Sequence, residues 1–169
     1  GAAVQGYAGE EELGACLSGA AVVVICAGFP RKQGMTRADL FDKNSNIIRV
    51  LVEACIDHCP DAWVCVVTNP VNQLVPYAAT IPGCDTKRLF GVTTLDLLRA
   101  QRFADVAERV PVVGGHSGTT ILPLFSHVTS KTFDDTEVDA LVHRVQNAGT
   151  EIIAAKQGMG SATLSMAYA

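Results

Sequence analysis

Apolar positions along this chain come in runs separated by polar, glycine-containing breaks. Residues 20–27 (AAVVVICA) form a continuous run ending at Gly28-Phe29-Pro30. An unbroken β-branched run of this length predicts a strand buried on both faces, as in a parallel sheet. Residues 31–39 are polar with one glycine and read as a flexible loop. Residues 40–59 read as a helix in which Ile47, Leu51, Ala54, Cys55 and His58 share a face, stopped by Pro60. Residues 63–68 (WVCVVT) predict a second buried strand, ended by Asn69-Pro70, with a helix over 71–80 and a loop around Pro82-Gly83. Helical composition returns over 95–108, a short strand over 110–113 breaks at Gly114-Gly115, and 120–125 is again apolar. Thr136-x-x-Asp139 resembles a capping box opening a long helix with Val138, Leu141, Val142 and Val145 as its apolar stripe. Residues 161–169 are small and apolar.

Strands alternating with helices define an α/β chain with a mostly parallel sheet. In such folds, function collects at the carboxyl ends of the strands. Here those ends are Gly28-Phe29-Pro30-Arg31 and Thr68-Asn69-Pro70. The regular alternation gives way to a mixed pattern near residue 95, which marks a domain boundary.

Composition narrows the class. The chain has 169 residues, 49% of them apolar and 18% charged, which are globular values. It carries no initiator methionine, so a fragment of a larger protein is expected. With 13 basic and 17 acidic side chains it lacks the clustered cations that a nucleic acid or an acidic lipid surface requires. No apolar run reaches the ~18 residues of a membrane span. No secretory signal is visible, so the six cysteines are expected as reduced thiols. Cys26 and Cys65 lie in apolar runs and read as core. Cys55, His58 and Cys59 fall within one helical turn, but zinc takes about four ligands and no second cluster follows, so no metal is assigned.

The candidate chemistry is sparse. Asp96 and Arg99, three apart at a helix start, share a face, either as a surface ion pair or as a functional one. His116 is framed by glycines in Gly114-Gly115-His116-Ser117-Gly118, which leaves an imidazole accessible. His58, His127 and His143 lack such framing and are expected on element surfaces. Arg31 and Arg37 stand in a glycine-containing loop, either solvated or carried by a lid onto an anionic substrate, since guanidinium grips carboxylate as a planar fork. Residues 158–163 (GMGSAT) look like a phosphate loop but follow a helix, and the dinucleotide fingerprint is rejected there.

Taken together, the blocks AGFPRKQGMTRADLF (27–41), TNPVNQLVP (68–76), LFGVTTLDLLRA (89–100), PVVGGHSGTTILPL (111–124) and NAGTEIIAAKQGMGSATLSMAYA (147–169) resemble the lactate/malate dehydrogenase family. Their wording is closest to the dimeric, mitochondrial and bacterial malate-oxidising branch. The resemblance implies a partial Rossmann-like parallel sheet joined to part of an α+β catalytic domain. Residues 1–94 would be the C-terminal portion of an NAD-binding domain and 95–169 the N-terminal portion of the catalytic domain. It implies NAD as cofactor, a small dicarboxylate (malate/oxaloacetate) as substrate, and a homodimer built on the helices at 42–58 and 136–156.

Residue by residue, His116 resembles the general acid/base and Asp96 the carboxylate on its other ring nitrogen. Arg99 resembles the fork that holds the substrate carboxylate. Arg37 resembles the lid arginine that polarises the carbonyl, and Arg31 the residue that pairs with the second carboxylate. Asn69 resembles a contact to substrate and nicotinamide, and Asn44 and Met166 resemble positions lining the cofactor. A lactate or other 2-hydroxyacid dehydrogenase and a noncatalytic dimerising relative are the alternatives. The compartment stays open between mitochondrion, another organelle and cytoplasm.

The chain departs from the family in three places. The opening strand with its Gly-rich turn, which seats a pyrophosphate, and the C-terminal helices of the catalytic domain are absent. The segment from Asp96 to His116 is several residues shorter than usual, which bears on whether the two side chains can meet.

Overall fold

The computed structural model describes residues 1–30 and 35–169, with only the backbone of Arg37. The chain divides into two compact units, residues 1–29 with 36–92, and residues 93–169 with Pro30 and Met35.

In the first unit a short helix α1 (Leu13–Leu17) precedes strand β1 (Val22–Ile25), helix α2 (Arg37–His58), strand β2 (Trp63–Val66), helix α3 (Val71–Ala79) and strand β3 (Leu89–Gly91). The strands pair in parallel in the order β1-β2-β3, with Val22 opposite Trp63 and Val64 opposite Leu89. Helix α2 begins three residues before the run at 40 because Thr36 caps it: Asp39 N–H donates to Thr36 Oγ1 at 3.1 Å, and Thr36 N–H donates to Asp39 Oδ2 at 2.9 Å.

The core of this unit gathers Ile25, Ile48, Val52, Val66, Leu74, Ala78, Ile81 and Leu89. Two expectations fail here. The buried line on α2 is Leu40, Asn44, Ile48, Val52 and Cys55, continued by Cys59 at the C-cap, and of the apolar residues on the expected face only Cys55 is fully buried. The sheet is covered on one face only. Val22, Val24, Trp63 and Phe90 point out on the other, and Trp63 stacks on Phe90 at 5.1 Å between centroids. Sequential parallel strands joined by right-handed crossovers place both helices on the same side, and strand alternation sends every second side chain to the opposite one. For the same reason Cys65 is only half-buried, and Cys26, just beyond the end of β1, is exposed. Burial pushes the Cys55 thiol up to about 12, aided by Cys59; such a thiol is unreactive.

In the second unit helix α4 (Thr94–Ala104) leads to a hairpin of strands β4 (Val112–Gly114) and β5 (Ile121–Pro123), then helix α5 (Asp135–Ala155) and a short helix α6 (Thr163–Tyr168). Helix α4 stops at Ala104 rather than Glu108, because Asp105 turns into the left-handed region at φ 53°. The cap of α5 is Asp134 with Glu137, two residues before the expected box: Glu137 N–H donates to Asp134 Oδ1 at 2.8 Å. Ala100, Ala104, Val110, Ile121, Phe125, Val128 and Val145 form the core, with Val138, Leu141 and Val142 packed against it as the stripe predicted. His58, His127 and His143 are all exposed, as expected.

Among the described residues no helix is long and apolar enough to cross a membrane. Among them, too, no cluster of His, Cys, Asp or Glu could hold a metal ion.

Candidate active site

Each unit carries candidate site residues of its own. In the first, the segments leaving β1 and β2 are pinned together at the carboxyl edge of the sheet. Thr68 Oγ1 donates to the carbonyls of Ala27 (2.8 Å) and Ile25 (3.2 Å). Asn44, wholly buried on α2, reaches both segments. Its Oδ1 accepts from Phe29 N–H at 2.8 Å, and its Nδ2 donates to Asn69 O at 2.7 Å and more weakly to Phe29 O at 3.4 Å. Gly28 is required for this closeness, since a Cβ there would lie 2.5 Å from Thr68 Cγ2.

What remains exposed on this edge is the Phe29 ring and the residue Asn69. The two pinned segments form a backbone ledge at this edge. Asn44, expected to line the cofactor, lies beneath this ledge with its amide engaged by backbone. Thr68 was not singled out from the sequence; its place directly before Asn69 was the available signal.

In the second unit, Asp96 sits in the first turn of α4, where the helix dipole favours a carboxylate. It is only 2% exposed. One oxygen, Oδ2, is hydrogen-bonded to His116 Nδ1, and the other, Oδ1, accepts from Arg99 Nη1 at 3.3 Å. The shortened connection therefore does bring Asp96 to His116. This is no surface ion pair: the Arg99 side chain is 11% exposed, and burial lowers the basicity of its guanidinium while Asp96 and then Glu151 oppose that shift.

His116 is carried by the turn of the β4–β5 hairpin. Gly114 has φ +83°, and a Cβ there would fall 2.1 Å from Thr120 O, so this position accepts only glycine. Arg99 also faces a cavity of about 320 Å³ between α4, α5 and α6, lined by Arg102, Phe103, Arg144 and Glu151 among others. Met166 is half-buried on α6. Arg31 lies outside the described residues, and Arg37 contributes the first helical residue of α2.

A parallel α/β unit with a polar carboxyl edge, next in sequence to a unit holding a buried carboxylate–imidazole–guanidinium cluster, defines a protein built like the dinucleotide-dependent dehydrogenases. Comparison with known proteins gives the family. Residues 2–91 match the model of the lactate/malate dehydrogenase NAD binding domain, and residues 93–169 that of the lactate/malate dehydrogenase alpha/beta C-terminal domain. The chain belongs to the lactate/malate dehydrogenase family.

Human mitochondrial malate dehydrogenase is 51% identical over 182 residues, covering 99% of this chain and 53% of that protein. Malate dehydrogenase of Colwellia psychrerythraea is 55% identical over 172 residues, covering 95% and 55%. Among solved structures, apo malate dehydrogenase from Picrophilus torridus superposes with a TM-score of 0.82 at 28% identity, covering 93% of this chain and 52% of that one. Lactate dehydrogenase from Cryptosporidium parvum, complexed with lactic acid and nicotinamide adenine dinucleotide, gives 0.78 at 25% identity, covering 92% and 55%. The chain thus spans about half the length of the curated relatives it matches.

Proposed function

We propose that this chain works in the NAD-dependent interconversion of L-malate and oxaloacetate. The observation that carries the proposal is the Asp96 carboxylate, shared between an imidazole and a guanidinium. Residues 1–94 serve as the C-terminal portion of the NAD-binding domain and 95–169 as the N-terminal portion of the catalytic domain. The helices at 42–58 and 136–156 support a homodimer as the full-length assembly.

Bound NAD supplies the hydride acceptor at its nicotinamide ring. In the oxidising direction His116 takes the hydroxyl proton of malate at Nε2 while hydride leaves the carbon that bore that hydroxyl. Asp96 holds Nδ1, fixing the tautomer and stabilising the imidazolium that results. In the reducing direction the imidazolium returns the proton to the ketone oxygen. Arg99 holds the carboxylate next to the reacting carbon. Arg37 polarises the carbonyl, and Arg31 pairs with the second carboxylate, a group that needs a charge partner once it leaves water. Phe29 and Asn69 would hold the nicotinamide end of the cofactor, Asn44 holds their two segments together, and Met166 would line the cofactor.

The direct experiment is NADH oxidation with oxaloacetate and, in parallel, with pyruvate. Oxaloacetate is the expected substrate. His116→Asn is expected to lower kcat by roughly 10²–10⁴, the usual worth of a positioned acid/base. In a chain completed to the length of its relatives, Arg31→Gln is expected to narrow the preference for oxaloacetate over pyruvate. Absence of both oxaloacetate turnover and oxaloacetate binding refutes the proposal. An unchanged substrate ratio in Arg31→Gln removes Arg31 from specificity.

A further inference from the structure

Asp96, in the first turn of α4, and His116, just after β4, are joined through one short connection. Only residues 105–111 join α4 to β4. That connection is fastened from both sides. The Glu108 carboxylate accepts four hydrogen bonds from two residues: the backbone N–H of Thr129 (2.9 Å) and of Ser130 (2.8 Å), and the hydroxyls of Thr129 (3.1 Å) and Ser130 (2.6 Å). In the opposite sense Lys131 Nζ donates to the carbonyl of Ala104, the last residue of α4, at 3.3 Å. Within the connection, Gln101 Nε2 donates to Ala107 O at 2.8 Å.

Three of the four donors meet Oε1 and the fourth, the Thr129 hydroxyl, meets Oε2, and an ionised carboxylate is acceptor-only. They hold the Glu108 carboxyl well below the usual range, at about 2, the Ser130 hydroxyl having the largest effect. A surface glutamate ordinarily samples several rotamers; this one is held through both of its carboxylate oxygens. Its neighbour Val110 is fully buried in the core of the unit, so the tether ends on packed structure. Residues 129–130 lie between β5 and α5, so the tether ties the connection to the segment that leads into α5.

We propose that Glu108 is a positioning residue for the Asp96–His116 pair: by fastening the shortened connection to Thr129 and Ser130, it sets the span between α4 and β4 that keeps the imidazole against the carboxylate. This rests on reading Asp96 and His116 as the proton-transfer pair. A brace that served stability alone would leave the contact between those two side chains untouched in any variant that still folds.

The test is NMR of the 169-residue chain labelled with ¹⁵N-histidine, following the His116 Nδ1–H proton and its exchange with water. Asp96→Asn is expected to abolish the protected signal; if the signal persists unchanged, the pairing itself is wrong and the proposal falls with it. Glu108→Gln keeps the volume and removes the charge. It is expected to speed exchange of the ring proton about tenfold or more, as loss of a charge-assisted hydrogen bond implies, while the amide signals of the β4–β5 hairpin stay in place. If Glu108→Gln does not fold, Ser130→Ala removes only the shortest of the four bonds and is expected to shift exchange in the same direction by less. Unchanged exchange in the folded variant, with the signal lost in Asp96→Asn, overturns the role of Glu108 and leaves the pair standing.

Discussion

Replacing Asn44 by alanine isolates what one buried amide does for the cofactor edge. The side chain supplies one acceptor and one strong donor to two different segments, at 2.8 Å to Phe29 N–H and 2.7 Å to Asn69 O. Alanine leaves both backbone groups without that partner. Each orphaned group costs about 1–3 kcal/mol when water is excluded. Phe29 and Asn69 are themselves exposed, so water reaches part of the site and the lower half of that range applies. The vacated volume against Gly28 adds about 1 kcal/mol. The sum is about 3–5 kcal/mol for the first unit, or a fall in Tm of about 6–20 °C for a chain of this size.

Urea unfolding followed by far-UV circular dichroism measures the loss directly. Amide hydrogen exchange localises it: Phe29 N–H should lose protection, while amides in β4 and β5 should not change. The matched control is Asn46→Ala on the same helix, where the side chain only accepts from Arg49 at 2.9 Å on the surface and the cost should stay within about 0.5 kcal/mol. An Asn44→Ala variant as stable as Asn46→Ala would show that the two segments hold their positions without the clamp.

Two further outcomes follow from the second unit. Gly114→Ala places a Cβ against Thr120 O at a φ of +83° and should cost at least about 2 kcal/mol, with loss of protection at Gly115 N–H, which donates to Thr120 O; a near-neutral result in a thermal melt would show that the hairpin can reshape freely. Glu108 has a carboxyl lowered from 4.5 to about 2 in the folded chain. A lowered carboxylate pKa contributes stability that is complete above the unfolded value and is lost as pH falls through the folded one. Acid titration should therefore show an unfolding contribution between about pH 4.5 and 2 that Glu108→Gln removes; identical acid midpoints would contradict the four-bond geometry.

The α/β alternation, the two strand ends and the long helices were legible because runs and helical spacings are local. The phase of α2 was not. Ile47 and Ile48 are adjacent and both apolar, so the spacing supports two faces equally, and packing against the sheet chose the one containing Ile48. The capping boxes misled in a similar way: Thr136-x-x-Asp139 and Asp134-x-x-Glu137 overlap, and both have the right chemistry for a helix start. A β-branched run looks the same whether one or both of its faces are covered, so the exposure of Val22 and Val24 could not be read. In the candidate site, three-residue spacing joined Asp96 to Arg99, but His116 comes twenty residues later and its partnership needed the fold or the resemblance. Glu108 gave no signal, because all its partners lie 21 and 22 residues further on.

The bare face of the sheet has a practical consequence. The chain contains one tryptophan, Trp63, and it is 47% exposed on that face, stacked on Phe90 with the Arg88 guanidinium 5.8 Å from its ring. Excited selectively, its emission therefore reports on the parallel-sheet unit alone, because the unit holding Asp96 and His116 contains no tryptophan. Fluorescence and circular dichroism then observe different portions of the same chain. Coincident transitions would mean that the two units melt together, whereas separated ones would resolve the strength of each without a single substitution.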